Sequence, residues 1–231
     1  MLKDFVALDL ETTGLNPYID KIIEIGAVKY RNGMEVDRFE TFVNPSMPIS
    51  AKIQAITGID DSMVSNAPVI SDIISRLIDF IGDDTLLGHN IPFDYKFIAK
   101  AANDAGLTYK CNAIDTYRVS VRCIKSIESR SLEYLCSYFS IDTIHHRAAA
   151  DAVSSAMVYF RLCELSDSAS DIFPLAFVPK KQEKITIKQI SFLNALIKKH
   201  HINYSKKIED LTKSEASREI DYILSTYGIK R

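Results

Sequence analysis

The chain has 231 residues, and its 28 Lys+Arg against 30 Asp+Glu give a formal net charge of −2. Hydrophobic residues make up 47% and charged residues 25%, a composition typical of a soluble globular protein that can bury a full core. There is no long uncharged apolar run, and the first predicted strand begins by residue 4, which leaves no room for a secretory signal. We therefore expect a cytoplasmic protein without a membrane span.

The spacing of the cysteines argues against a CxxC motif and against a zinc site. They lie at positions 111, 123, 136 and 163, with no CxxC pair and no zinc-ligand spacing. In a reducing compartment they are most simply buried thiols.

The first predicted element is a strand over residues 4–11, because DFVALDLE is a nearly continuous apolar run typical of a central strand. Asp9 and Glu11 are two positions apart, so on a strand they point to the same side, within reach of one hard cation such as Mg²⁺ or Mn²⁺. The alternative is that Thr12, Thr13 and Gly14 form a turn and the two acids merely face solvent.

The middle of the chain predicts a hairpin and then a second acidic position. Strands at 22–30 and 35–43 flank Asn32-Gly33, a strong hairpin signal. After a helix at 69–81 and a strand at 85–89, Pro92 suits the first turn of a helix over 93–105. Asp94 would then lie in that first turn, where the helix dipole favours an anion or its bound metal. The alternative is an ordinary acidic residue at a helix N-terminus.

The third acidic position is in the last long helix of this region. A short strand at 112–114 and helices at 115–125, 131–139 and 147–165 are predicted. Alanines at 148, 149, 150 and 152 strip one face of the last helix of bulk, so it can press on the sheet and bring Asp151 to Asp9. His146 would lie in the preceding loop or the first turn and could take a proton from an attacking water. His145 is the alternative for that role.

Together, DLETTGL, GHNIPFD, Asp115 with Thr116, and HRAAAD resemble the three motifs of the DnaQ-like DEDD exonuclease family, histidine subtype. That family includes the proofreading ε subunit of bacterial DNA polymerase III, ribonuclease T and oligoribonuclease. The resemblance covers about residues 1–166. It implies an α/β ribonuclease-H-like fold with a mixed five-stranded sheet flanked by helices.

The resemblance also implies a reaction, the removal of nucleotides from 3′ ends as 5′-monophosphates. Asp9, Glu11 and Asp151 would hold one of two divalent cations, Mg²⁺ or Mn²⁺, Asp9 would bridge to the second, and Asp94 would be held through water. His146 would be the general base. The implied partners are a single-stranded or frayed 3′ end, with DNA the expected substrate in proofreading or repair, and a DNA polymerase or other replication protein. RNA trimming and a non-catalytic nucleic-acid-binding accessory protein are the alternatives.

Substrate contacts implied by the resemblance fall in two segments and one helix start. Thr12 would meet the terminal nucleotide and Leu15 would wedge between the last two bases. A buried turn anchor is the other role for Leu15, and the two roles are compatible. Ile56 and Thr57 would border the nucleotide pocket, although many members carry histidine at the position of Thr57. Phe93 would stack near the terminal base or belong to the core.

The C-terminal region differs in charge from the rest. We predict an exonuclease domain at 1–167, a linker at 168–185 and a small module at 186–231, with two helices opened by Thr186 and Thr212 and the second closed by Gly228. Residues 180–231 hold 12 Lys+Arg and 6 Asp+Glu, a net of +6, whereas residues 1–179 hold 16 and 24, a net of −8. The basic module would grip the phosphate backbone, or its lysines would only keep it soluble.

Overall fold

The computed structural model describes residues 1–142, 147–166, 171–178 and 183–228. The chain forms two units, Met1–Phe177 and Val178–Arg231. Among the described residues, no helix combines the length and apolar character needed to cross a membrane.

The first unit is built on a mixed six-stranded sheet in the order β3-β2-β1-β4-β5-β6. The central strand β1 pairs antiparallel with β2 and parallel with β4. Next to β4 lies the parallel strand β5, which pairs antiparallel with β6. The strands are β1 Phe5–Thr12, β2 Ile22–Arg31, β3 Met34–Phe42, β4 Leu86–Gly88, β5 Lys110–Asp115 and β6 Phe173–Ala176.

The predicted mixed sheet with flanking helices is confirmed, but it has six strands rather than five. The additional strand, β6, lies inside the segment predicted to be a linker. It is only four residues long and contains Pro174, which a sequence pattern reads as a break. An edge strand tolerates proline because one side of its backbone needs no hydrogen-bond partner.

Five predicted helices of this unit are present, each with bounds within two residues of the expectation. Two further helices, α1 and α2, were not predicted: α2 has only four residues, and α1 leaves most of its residues exposed, so neither shows an amphipathic helical period. The helices are α1 Ala51–Thr57, α2 Asp61–Val64, α3 Ile70–Ile81, α4 Pro92–Asp104, α5 Thr116–Cys123, α6 Leu132–Tyr138 and α7 Ala148–Leu165.

The two faces of β1 serve two different cores. Leu8 and Leu10 pack with residues of α3 and α4 on one face. Phe5 and Ala7 pack with residues of α5 and α7 on the other. Since side chains alternate along a strand, Asp9 and Glu11 continue the face that α7 covers. The alternation therefore directs both acids toward the helix that carries Asp151.

The predicted hairpin between β2 and β3 is also confirmed. Asn32 and Gly33 both adopt left-handed backbone angles, with φ of 53° and 78°. Two consecutive residues with positive φ form the turn whose twist suits a two-residue hairpin.

The second unit has the two predicted helices, α8 Ile187–Lys199 and α9 Lys213–Tyr227. Each begins with a capping box, in which Thr186 pairs with Gln189 and Thr212 with Glu215. Gly228 follows the second helix, as predicted. The small core of this unit includes Leu193, Leu196, Ile208, Ala216, Ile220 and Ile223.

Candidate active site

Three carboxylates that are distant in the sequence of the first unit meet at the end of β1. Oxygen atoms of Asp9, Glu11 and Asp151 all lie within 4.8 Å of one another. The first two come from β1, and Asp151 lies in the first turn of α7. Oxygen ligands at such spacing suit a hard divalent cation. The predicted convergence of these three acids is present in the structure.

The electrostatics of this carboxylate cluster favour a bound cation. Burial raises the pKa of Asp9 well above its usual range, and the charges of Asp94, Asp151, Glu11 and Glu24 raise it further. Burial, followed by the charges of Asp151 and Glu24, raises the pKa of Glu11 to about 7. Without a cation the cluster thus carries repulsion that only protons relieve. A divalent ion would relieve it while leaving the carboxylates ionised.

Asp94 lies beside the cluster and is fixed to β1. It stands in the first turn of α4, as predicted, and its side chain is 3% exposed. Its Oδ1 accepts a hydrogen bond from the Leu10 amide at 3.1 Å. Burial raises its pKa, while hydrogen bonds from its own amide and that of Leu10 oppose the shift. This attachment holds the α4 carboxylate next to the strand that carries Asp9.

Close contact between α7 and the sheet depends on a glycine that the sequence reasoning missed. Gly26 lies opposite Asp9 in the ladder between β1 and β2. A Cβ atom there would stand 2.1 Å from the Ala149 amide nitrogen and 2.2 Å from the Ala148 carbonyl carbon. Only glycine lets the first turn of α7 rest on the sheet at this level. The close packing predicted from the alanines is therefore confirmed, and a glycine inside a strand pattern was the available signal for it.

A second missed residue, Glu24, holds the start of α7. It lies opposite Glu11 on β2 and is only 5% exposed. Its Oε1 accepts hydrogen bonds from Arg147 Nε and Nη2 at 2.9 and 2.8 Å, and its Oε2 accepts one from the Ala148 amide at 3.2 Å. The Arg147 guanidinium also lies 5.1 Å from the centre of the Phe42 ring. A buried acid bonded to the first amide of a helix fixes where that helix begins, and here it fixes the level of Asp151.

The predicted general base, His146, and its alternative, His145, lie outside the described residues. Arg147, the residue that follows His146 in the sequence, is the one bound to Glu24. The role of His146 stays a prediction.

The residues predicted to contact the terminal nucleotide differ in exposure. Leu15 is 83% exposed, so it is not a buried turn anchor. Thr12 is buried, and its hydroxyl donates to the Gly14 carbonyl at 2.7 Å. Phe93 is half-buried at the start of α4, with its ring 5.1 Å from that of Phe97.

In α1, Ile56 is 52% exposed, whereas Thr57 is buried. The Thr57 hydroxyl donates to the Ile53 carbonyl at 3.0 Å and accepts from the Ile59 amide at 3.1 Å. These internal bonds favour a role for Thr57 in shaping the turn that presents Ile56. A direct contact between Thr57 and nucleotide stays a prediction.

The ends of β4 and β5 are tied together beside the cluster. Asp115 is 3% exposed, and its Oδ1 accepts from the amides of Asn90 at 2.8 Å and Tyr117 at 3.0 Å. His89 Nδ1 lies 2.9 Å from the Thr116 hydroxyl, and its ring meets the Tyr117 ring edge-on at 5.9 Å. Burial lowers the pKa of His89, which favours its neutral form.

Comparison with known proteins agrees with this site. The sequence model of an exonuclease family, RNase_T, matches residues 6–159, a range that includes all four acids. The chain belongs to this exonuclease family. The predicted kinship with DnaQ-like exonucleases is thereby confirmed.

Two similar relatives are both called DNA polymerase III PolC-type. The one from Caldanaerobacter subterraneus subsp. tengcongensis is 36% identical over 204 residues, covering 88% of this chain and 13% of the relative. The one from Thermotoga maritima is 33% identical over 229 residues, covering 98% of this chain and 16% of the relative. The chain thus spans only about a seventh of the length of these relatives.

A similar solved structure is that of Exonuclease X in complex with 5′ overhanging duplex DNA. It is 26% identical, with a TM-score of 0.57, and the match covers 71% of this chain and 93% of that one. The fold around the carboxylate cluster is therefore that of a known exonuclease.

Proposed function

We propose that the first unit is a metal-dependent 3′→5′ exonuclease that removes nucleotides from nucleic acid, preferably DNA, as 5′-monophosphates. The observation that carries the proposal is the meeting of Asp9, Glu11 and Asp151 within 4.8 Å at the end of the central strand. Burying such a cluster is costly unless it binds a cation.

The geometry of the cluster and the family resemblance support a particular set of metal-binding residues. Asp9, Glu11 and Asp151 would hold one divalent cation, Mg²⁺ or Mn²⁺. Asp9 would also contact a second cation, and Asp94 would be held to the site through a water molecule. When bound, such a pair of ions stabilises both the attacking and the leaving oxygen of a phosphodiester displacement. The protein contributes their positions, through the Leu10 bond to Asp94 and the Glu24 bonds to the start of α7.

His146 is assigned the role of general base for the attacking water. The oxygen of a water molecule attacks the phosphorus while the bond between phosphorus and the 3′ oxygen of the preceding nucleotide breaks. His146 takes the proton from the attacking water, and the departing 3′ oxygen gains a proton from solvent. The products are a nucleoside 5′-monophosphate and a chain with a new 3′ hydroxyl.

The terminal nucleotide would lie against the turn that follows β1. At 83% exposure Leu15 is available to separate the last two bases, and the exposed Ile56 and half-buried Phe93 would supply further apolar surface to the terminal nucleotide. Separating the last two bases favours a single-stranded or frayed 3′ end over a paired one.

Similarity to proteins named DNA polymerase III supports DNA as the substrate. Both relatives described above are named DNA polymerase III, which is the reason for proposing a replication or proofreading context and a polymerase partner. Decay into a non-catalytic binding protein is disfavoured because a protein without metals gains nothing by keeping four mutually repelling acids.

The test is digestion of three matched substrates labelled at the 3′ or the 5′ end: single-stranded DNA, 3′-mismatched duplex DNA and short RNA. With Mg²⁺ or Mn²⁺, we expect the 3′ label to appear at once as a mononucleotide and the 5′-labelled strand to shorten stepwise. Faster cleavage of RNA than of DNA would establish the exoribonuclease alternative.

Asp9→Asn supplies the decisive variant and Asp37→Asn its control, since Asp37 is an exposed acid on β3. Asp9→Asn should lower the rate by about 10³-fold or more, because several kcal/mol of transition-state stabilisation are lost. Its circular dichroism should match that of Asp37→Asn. Undiminished activity in Asp9→Asn, or in excess EDTA, would overturn the proposed mechanism.

A further inference from the structure

The exposed face of α5 lies at the same edge and on the same side of the sheet as the carboxylate cluster. Strands β1, β4 and β5 are adjacent and parallel, so the residues that follow them line one edge. Val119 and Ile124 pack into the core shared with α7, which places α5 on the face that carries Asp9 and Asp151. Two strand spacings separate the ends of β1 and β5, a distance of about 10 Å.

Tyr117, in the first turn of α5, is both exposed and firmly held. It is 44% exposed. Its amide donates to the buried Asp115, and its ring rests edge-on against His89. One turn further along α5, Val121 is 49% exposed. A partly exposed aromatic ring held by these contacts, with an exposed apolar neighbour, is a suitable platform for a planar base.

The charge of this helix is opposite to that of its surroundings. Within α5, Arg118 and Arg122 are exposed and there is no acid, and the exposed Lys125 follows. The region 1–179, by contrast, has a net charge of −8. Arg118 lies 4.1 Å from the centre of the Phe173 ring, and Arg122 pairs with Asp171, so both side chains are anchored along this edge.

From this placement we propose that the face of α5, with Tyr117 at its head, binds the single strand on the 5′ side of the scissile phosphate. The inference rests on the proposed function and extends it to a second contact with the substrate. Tyr117 would stack on a base, and Arg118 and Lys125 would face the phosphates, while Arg122 stays paired with Asp171. Since stacked bases rise about 3.4 Å per nucleotide, a distance of about 10 Å corresponds to about three nucleotides beyond the scissile bond.

The experiment is a length series of DNA strands from two to eight nucleotides, with kcat and KM measured for each. For the wild type, KM should fall sharply once the strand is long enough to reach Tyr117, between about four and six nucleotides. In Tyr117→Ala this step should shrink by about 5-fold or more, because aromatic–base stacking of this kind contributes at least that much. Tyr117→Phe and Tyr117→Trp should restore the step, since both keep a ring.

Tyr138→Ala is the matched control, because Tyr138 is an exposed tyrosine of the same unit on α6. It should keep the wild-type length dependence. Equal length dependence in Tyr117→Ala and the wild type would overturn the inference while leaving the exonuclease proposal intact, and so would a loss that Tyr117→Trp fails to restore.

If the wild type cleaves none of the strands, the proposed function fails separately. The inference then stands or falls on fluorescence anisotropy of an eight-nucleotide strand in the presence of Ca²⁺. Weaker binding by Tyr117→Ala than by the wild type and Tyr138→Ala would support it, and equal binding would overturn it.

Discussion

The two units of this chain are stabilised by different kinds of contact. In the first unit the important contacts join distant parts of the sequence, such as Glu24 with the Ala148 amide, 124 positions apart. In the second, order begins locally, with capping boxes formed by Thr186 with Gln189 and Thr212 with Glu215. The first unit concentrates partly buried negative charge at one point, whereas the second carries a net positive charge.

The two units are therefore expected to tolerate different kinds of change. A site assembled from distant carboxylates depends on sub-ångström positions, so one added methyl group can disable it. Surface charges attract a polyanion through their combined net charge, and salt screens this attraction. Removing some of the charged residues should therefore weaken binding gradually. Four changes to the protein or its conditions test this contrast, in order of decreasing effect.

His146→Ala should have the largest effect of the four. As general base, His146 should contribute about 10²–10⁴-fold to kcat, and the variant should still bind metal and DNA. Two groups can each produce an acid limb in the pH–rate profile, because the pKa of Glu11 is raised to about 7 in the metal-free protein. Raising the metal concentration should move the Glu11 limb to lower pH and leave that of His146 in place. If His145→Ala carries the loss, the base is the other histidine.

Gly26→Ala should come next. The added Cβ cannot coexist with the Ala148 and Ala149 backbone, so α7 must move and take Asp151 with it. A displacement of about 1 Å can cost 10²-fold in rate, and we expect the Mn²⁺ concentration for half-maximal activity to rise as well. Val28→Ala is the control, because it weakens the same strand and core without pushing on α7. Equal metal dependence in the two variants would show that the close approach at Gly26 does not set the metal site.

Deletion of residues 180–231 should have a moderate effect confined to long strands. For every phosphate that the second unit would otherwise neutralise, the log–log salt dependence of single-strand binding should flatten by about 0.7. Lys206 already pairs with Glu219 and Lys213 with Glu183, so the more available charges include Lys184, Lys188, Lys198 and Lys207. Replacing these four by glutamine should reproduce most of the change seen on deletion. An unchanged salt slope would favour a solubility or protein-docking role for the second unit.

The smallest effect concerns the pH dependence of stability without metal. The pKa of Glu11 is raised in the folded state to about 7, so between the unfolded value of about 4.3 and 7 the folded state holds more protons. Stability should therefore fall as pH rises through this window. We expect the melting temperature in EDTA to be several degrees lower at pH 8 than at pH 5.5, a shift of about 3–8 °C. Mn²⁺ should reverse the loss mainly at pH 8, and Asp9→Asn should reduce it.

The sequence predicted the elements that repeat a period and missed those that do not. Long helices such as α3 and α7 and the Asn32-Gly33 hairpin follow from local patterns. Elements such as α1, whose residues are mostly exposed, and β6, which contains a proline, show no such pattern. Among the site residues, the three converging acids were found through motif spacing. Gly26 and Glu24 were missed because their roles depend on contacts with β1 and with the start of α7. Those contacts join residues far apart in sequence, so a short stretch of sequence does not reveal them.

Because Glu24 and the start of α7 are 124 residues apart, the carboxylate cluster cannot exist early in synthesis. At 5–20 residues per second, a ribosome takes about 6–25 s to pass from β2 to α7. Throughout that interval β1 and β2 can pair, but Asp9 and Glu11 have no third carboxylate and α7 has not closed over Gly26. A nascent chain therefore cannot assemble the carboxylate cluster, and the proposed nuclease activity would begin only after α7 has been synthesised.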